Sequence, residues 1–191
     1  MTRLWLVRHG PTHQTAMTGW RDVAADLSDT AAIARLATWL PQAATLVASD
    51  LLRARTTADA IQQGQTRLPD RPSLREFDYG EWDAMTWQDI AARWPDLSRA
   101  YWETPGDTAP PGGECWHDGA TRMSADIDHL LRPAPAELIV VAHMGVILTQ
   151  LARALQVSPA QVLAQRIDPL SVSVVTVSPA GWVAGPINHC P

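Results

Sequence analysis

The sequence predicts an α/β fold: three layers, α/β/α, around a mostly parallel central sheet, with a tryptophan-rich helical and loop cap inserted. Three observations carry this. Within the first third, short apolar runs alternate with stretches whose apolar residues fall at helical spacing, the pattern of β-α-β units. The two strongest runs, residues 4–7 and 138–142, are apolar at successive positions, as in strands buried on both faces. Five of the nine tryptophans, at 82, 87, 94, 102 and 116, crowd into one Pro/Gly-interrupted segment.

In chain order, "LWLV" at 4–7 reads as the first strand. "LSDTAAIARLATWL" at 27–40 reads as a helix: Ser28 or Asp29 can cap it, and Ile33, Leu36, Trp39 and Leu40 recur at helical spacing. "ATLVAS" at 44–49 is a second strand, and "DLLRARTTADAIQQG" a helix that Gly64 ends. "ELIVVAH" at 137–143 is a buried strand, leading into "MGVILTQLARAL" with Ile147, Leu148, Leu151 and Leu155 on one side. "VSPAQVL" starts another helix, with Ser158 as cap and Pro159 at its first position. "LSVSVVTV" at 170–177 is a late strand. "TPGDTAPPGGE" at 104–114 must be irregular. No repeat is present, so 1–191 reads as one domain with a cap insertion at approximately 82–116.

The composition is globular, with 46% hydrophobic residues. A net charge of −5 and a pI near 5.6 argue against nucleic acid as a partner, since that role needs a basic face. They leave room for a small anion held by a few focused arginines. The two cysteines, Cys115 and Cys190, show no metal-ligand spacing and read as free thiols of a reducing compartment, though one disulfide between them stays open. With neither a basic-then-apolar leader nor a run of membrane-spanning length, the expectation is a cytoplasmic protein without a membrane partner.

Two of the apolar strands end in histidine, at His9 and His143, with Gly10 and Gly145 close behind. In a parallel sheet, ligands sit beyond the carboxyl ends of the strands, so neighbouring strands would aim both imidazoles into one crevice. Arg8 belongs to the same turn, and Arg53 lies early in the helix after the second strand. Two arginines and two histidines around a crevice suit phosphate, which arginine binds bidentately. Each of these residues taken alone also has a structural reading, and spacing does not decide between the two. His9 and His13 are four apart, as in zinc-binding helices, but Gly10-Pro11-Thr12 between them makes a helix, and hence a shared face, improbable.

Five segments then resemble the histidine phosphatase superfamily, which includes the phosphoglycerate mutases. They are "RHG" at 8–10 with Thr12, "SDLLRARTTA" at 49–58, "LREFDYGEW" at 74–82, "PGGECWHDGATR" at 111–122 and "VVAHMGVI" at 140–147. They occur in the family's order and span nearly the whole chain. The resemblance implies that His9 is a nucleophile forming a phosphohistidine. It implies that Arg8, Arg53 and His143 hold the phosphoryl oxygens, with Gly10, Thr12, Thr15 and Gly145 among the phosphate- and substrate-binding positions. It implies Glu76 as general acid and then base, no metal, and no cofactor. The partner it implies is a small phosphorylated metabolite. The oligomeric state stays unknown.

Three departures bear on that expectation. Trp82-Asp83-Ala84 stands where the family often has Trp-Glu-Gly, which makes Asp83, or Asp78, a competitor to Glu76 as acid. Cys115 replaces the serine of GGES, and Thr15 replaces an asparagine that touches substrate in the mutases. Mutases of the family are usually longer, with extra charged segments, so the expectation is a phosphatase. Members of that size include α-ribazole phosphatases, sugar-phosphate phosphatases and broad-specificity phosphomonoesterases. A mutase, or a phosphate-binding module without catalysis, remains the alternative.

Overall fold

Alternate residues of each central strand enter opposite cores, and this builds the three layers. A computed structural model describes all 191 residues. Strands β1 (Thr2–Arg8), β2 (Thr45–Ala48), β3 (Thr66–Arg67), β4 (Glu137–Ala142), β5 (Val172–Ser178) and β6 (Gly181–Ala184) form one sheet in the order β3-β2-β4-β1-β5-β6. Leu4, Leu6, Val47, Leu138 and Val140 face one core; Trp5, Val7, Leu46, Ile139 and Val141 face the other. Helices α1 (Thr30–Trp39) and α2 (Leu52–Ile61) cover the second face through Leu36, Ala54, Ala58 and Ile61. Helices α5 (Trp116–Leu131) and α6 (Met144–Leu155) cover the first through Met123, Ile127, Val146, Ile147 and Leu151.

β1, β2, β3 and β4 run parallel, while β5 lies antiparallel to β1 and turns tightly into β6. The sheet is therefore mostly parallel, as the sequence predicts. Asp29 caps α1, its Oδ1 accepting the Ala32 N–H at 2.9 Å. Ser158 and Gln161 close a reciprocal capping box at the start of the short helix α7 (Pro159–Val162). Gly64 does not end α2: the helix stops at Ile61 because Gln62 turns to extended backbone (ψ 131°). The late strand begins two residues after 170, since Leu170 sits at φ +60°.

The tryptophan-rich segment forms helices α3 (Trp87–Arg93) and α4 (Pro95–Glu103), then the irregular stretch that leads to α5. Trp82 is fully buried, with Tyr101 edge-on at 5.2 Å and Trp94 at 6.2 Å; Trp116 stacks on Phe77 at 5.4 Å. These rings join the core on the first face of the sheet, whereas Trp87 and Trp102 are exposed. Cys115 takes over the capping work of a serine, its Sγ accepting the Asp118 N–H at 3.4 Å at the start of α5. Both cysteines are free. No helix is long and apolar enough to cross a membrane.

Candidate active site

Strand register brings the two histidines together. Arg8 pairs with Ala142 across β1 and β4, so the next residues, His9 and His143, emerge side by side at the carboxyl edge of the sheet. The His9 N–H donates to the Ala142 carbonyl (3.0 Å), and the imidazole centroids are 5.1 Å apart. Both rings are buried. His9 Nδ1 lies 2.7 Å from the Gly10 carbonyl, which can only accept. The proton is thereby fixed on Nδ1, and Nε2 keeps its lone pair.

His143 is oriented from the other side. Its Nε2 is 2.9 Å from Ser49 Oγ, which in turn accepts the Leu51 N–H at 3.3 Å. The Ser49 hydroxyl proton is then available to Nε2, and the His143 proton belongs on Nδ1, a buried atom without a protein partner.

Arg53 enters from the first turn of α2. Its Nε donates to His9 Nε2 at 3.3 Å, while its terminal nitrogens donate to the Gly19 carbonyl at 2.7 Å and the Arg21 carbonyl at 3.0 Å. Three fixed bonds hold this guanidinium against the imidazole. Arg8 donates to the Ile167 carbonyl at 2.6 Å.

Glu76 lies across the cavity. Both carboxylate oxygens accept the Gly145 N–H at 3.1 Å, and Oε1 also accepts the Phe77 N–H at 3.0 Å. A Cβ at Gly145 would sit 2.1 Å from Oε1, so only glycine admits the carboxylate here. The Glu76 carbonyl accepts from Trp20 Nε1 (2.7 Å) and from Arg122 (3.2 Å), whose guanidinium is clamped by Glu114. The "PGGE" and "R" of the fourth sequence segment thus serve to pin the chain that carries Glu76.

A cavity of about 190 Å³ is lined by Arg8, His9, Thr12, Arg53, Glu76 and Tyr79, with Gln14, Ala16, Met17, Thr18 and Met144 completing the wall. Of the three candidate acids, Glu76 alone lines it. Asp83 is engaged by Arg21, through its backbone N–H at 3.0 Å and its Nε at 3.5 Å, and Asp78 accepts the Gly80 N–H at 2.9 Å.

Three positions expected to bind phosphate have other surroundings, and a fourth, His143, is fully buried and not among the wall residues. The Gly10 N–H is spent on Thr57 Oγ1 (2.9 Å), and its carbonyl orients His9. The Gly145 N–H is spent on Glu76. Thr15 is exposed and outside the wall, which Gln14 and Ala16 line on either side of it. His13 lies on the surface, bonded to Asp26 at 2.8 Å, far from sharing a helix face with His9. Sequence reasoning missed Ser49, Thr57 and the Gly19 and Arg21 carbonyls. Ser49 and Thr57 were inside a quoted segment, but their partners lie 94 and 47 residues away.

Burial, reinforced by Arg53, pushes His9 down to about 3, against the opposing pull of the Gly10 carbonyl. Burial, then His9 and Arg53, drives His143 well below the ordinary histidine value. Burial lowers Arg8 and Arg53 too, opposed first by Glu76, and an arginine stays charged regardless. The site at neutral pH therefore holds two neutral imidazoles and two cations. Because the unfolded chain binds a proton on His9 near pH 6.5 and the folded chain does not, this contribution to stability is complete above about 6.5. It is lost as pH falls from there towards 3. At pH 5, His9 alone should cost about 2 kcal/mol. Denaturant unfolding of wild type and His9→Asn at pH 7 and pH 5 measures this: the gap between them should shift by that amount in favour of the variant, and a constant gap would refute it.

This is an α/β protein with a cationic cavity at the carboxyl edge of a mostly parallel sheet. Residues 4–189 match the profile of the "Histidine phosphatase superfamily (branch 1)", and the chain belongs to that superfamily. It is 32% identical over 181 residues to the 2,3-bisphosphoglycerate-dependent phosphoglycerate mutase of Brucella melitensis biotype 2, covering 86% of this chain and 87% of the relative. That relative is of similar length, so length does not separate mutase from phosphatase as the sequence reading supposed. The α-ribazole phosphatase of Shigella flexneri has the same fold, with a TM-score of 0.85 at 22% identity over 98% of this chain and 96% of that one. The mycobacterial glucosyl-3-phosphoglycerate phosphatase solved with VO3 superposes with a TM-score of 0.85 at 26% identity, over 99% of this chain and all of that one.

Proposed function

We propose that the protein is a metal-independent phosphomonoesterase that hydrolyses a small organic phosphate through a phosphohistidine on His9. The observation that carries this is the orientation of His9: Nδ1 is tied to a carbonyl, and the unprotonated, buried Nε2 faces the Arg53 guanidinium. Substrate phosphoryl oxygens replace His9 as the partner of Arg53 Nε and engage Arg8 and His143 Nδ1–H. His9 Nε2 attacks phosphorus, a P–N bond forms, and the bond to the leaving oxygen breaks as Glu76 protonates that oxygen. Glu76 then takes a proton from water. The new oxygen attacks phosphorus, the P–N bond breaks, and inorganic phosphate leaves with His9 neutral again. Dividing the barrier in two and placing fixed cations where charge gathers are the sources of acceleration.

The Brucella relative favours a second reading, a mutase. Electrostatics weigh against it. A bisphosphorylated carboxylate needs several cations, yet beyond Arg8 and Arg53 the nearby arginines are already paired: Arg21 with Asp83, Arg75 with Asp50, Arg122 with Glu114. The test is phosphate release from a phosphomonoester panel in EDTA, beside isomerisation of 3-phosphoglycerate with 2,3-bisphosphoglycerate added. Hydrolysis that survives chelation without isomerisation is expected. Isomerisation faster than hydrolysis would establish the mutase, and loss of hydrolysis restored by added metal would overturn metal independence.

A further inference from the structure

We infer that Trp20 is a positioning residue for the general acid: its indole N–H fixes the peptide between Glu76 and Phe77, and that peptide aims the Glu76 carboxylate at the leaving oxygen. This rests on the phosphatase reading above, with Glu76 as the acid.

The two ends of one peptide carry the inference. Its carbonyl, that of Glu76, accepts from Trp20 Nε1 at 2.7 Å and, less closely, from Arg122 at 3.2 Å. Its N–H, that of Phe77, donates to Glu76 Oε1 at 3.0 Å. A trans peptide is planar, with its C=O and N–H pointing in opposite directions, so a donor that pins the oxygen also aims the N–H. Hydrogen bonds in such a chain polarise one another, so the indole strengthens the grip on the carboxylate as well as directing it. The other grip, the Gly145 N–H, lies 3.1 Å from both oxygens and does not choose between them. The Phe77 N–H does choose. It loads Oε1 with a second bond, and the proton for the leaving group belongs on Oε2.

The segment around Trp20 also holds the phosphoryl-binding cation. Arg53 donates to the carbonyls of Gly19 and Arg21, the residues on either side of the tryptophan. Asp22 Oδ1 accepts the Leu52 N–H at 2.6 Å, at the start of the helix that carries Arg53. A Cβ on Gly19 would lie 2.5 Å from the Phe77 carbonyl oxygen, so glycine lets this segment lie directly against the chain that bears the acid. Residues 19–22 thus fix acid and cation relative to each other, and Trp20 is the acid's half of that link. Its ring is steadied in turn by Arg75 and Arg122, whose guanidinium carbons lie 5.2 and 5.7 Å from the centroid.

The experiment measures kcat/KM for methyl phosphate and nitrophenyl phosphate, and inhibition by inorganic phosphate, in wild type, Trp20→Phe, Glu76→Gln and the double variant. Phenylalanine keeps an aromatic ring against the two arginines, and the position is exposed, so the core is spared. Methyl phosphate, whose leaving oxygen needs the proton, should lose about ten- to a hundredfold in Trp20→Phe, the scale of a misplaced reacting group. Nitrophenyl phosphate should lose less than about threefold, since its leaving oxygen departs without that proton. Phosphate inhibition should be unchanged, because Arg53 keeps its backbone partners. Added to Glu76→Gln, Trp20→Phe should cost less than about threefold on either ester, since the two residues act as one unit. Benzothienylalanine in place of Trp20, which keeps the fused ring and lacks only the N–H, should give the same split and serves as the test should Trp20→Phe not fold. Equal losses on both esters with weakened phosphate inhibition, or losses that multiply with those of Glu76→Gln, overturn the inference and leave the phosphatase reading intact. No release from either ester by wild type overturns both.

Discussion

His9→Ala is expected to lower kcat/KM for every phosphomonoester by about four orders of magnitude or more, the scale on which removal of an enzyme nucleophile acts. The variant should still fold. The imidazole is buried, but its loss removes one bond to the Gly10 carbonyl and a contact with Arg53, and neither belongs to the two hydrophobic clusters that hold the layers together. Unsatisfied, the Gly10 carbonyl costs about 1–3 kcal/mol. Circular dichroism and a thermal melt establish folding, and phosphate release establishes the rate. A folded variant with near-wild-type turnover would show that the phosphoryl group is not carried on this residue.

The second large effect belongs to Glu76→Gln, and it depends on the leaving group. Glutamine keeps the shape, and its amide oxygen can still accept the Gly145 N–H, but it has no proton to give the departing oxygen. General acid catalysis is worth about 10²–10⁴-fold where the leaving group needs it. An alkyl phosphate should lose that much in kcat/KM. Nitrophenyl phosphate, whose leaving oxygen departs as a stable anion, should lose far less. The comparison must be made in kcat/KM, because the variant also lacks the base for the second step and kcat would fall for both. Equal losses in kcat/KM would remove Glu76 from the acid role and return attention to Asp83 and Asp78.

The sequence made the sheet and its histidines legible for one physical reason. A strand buried on both faces must be apolar at every position, so "LWLV" and "LIVVA" stand out, and a polar residue at their ends has to be explained. What it could not reveal was register. The pairing of Arg8 with Ala142 sets His9 beside His143, and nothing local to either segment encodes it. Glu76 was invisible to spacing and emerged from family resemblance. Its support by Gly145 bridges 69 residues.

At the glycines that follow the two histidines, what approaches closely is protein: Thr57 and the His9 ring at Gly10, the Glu76 carboxylate at Gly145. Helix α5 escaped notice because polar and small residues separate Trp116, Gly119, Met123, Ile127 and Leu130, a stripe that emerges only when the buried face is known. β3 and β6, two and four residues long, carry too few positions for any alternation to register.

The central claim is the covalent intermediate, and it can be looked for directly. Wild-type protein mixed with a rapidly hydrolysed phosphomonoester, quenched in alkali within the turnover time and digested, should yield a phosphoryl adduct on the peptide carrying His9. The adduct should be stable to base and lost in acid. It should be absent from His9→Ala, and it should accumulate further in Glu76→Gln supplied with nitrophenyl phosphate, where formation is spared and breakdown is slowed. Turnover by wild type with the His9 peptide unmodified under the same quench, or a phosphoryl group on another residue, would contradict the account.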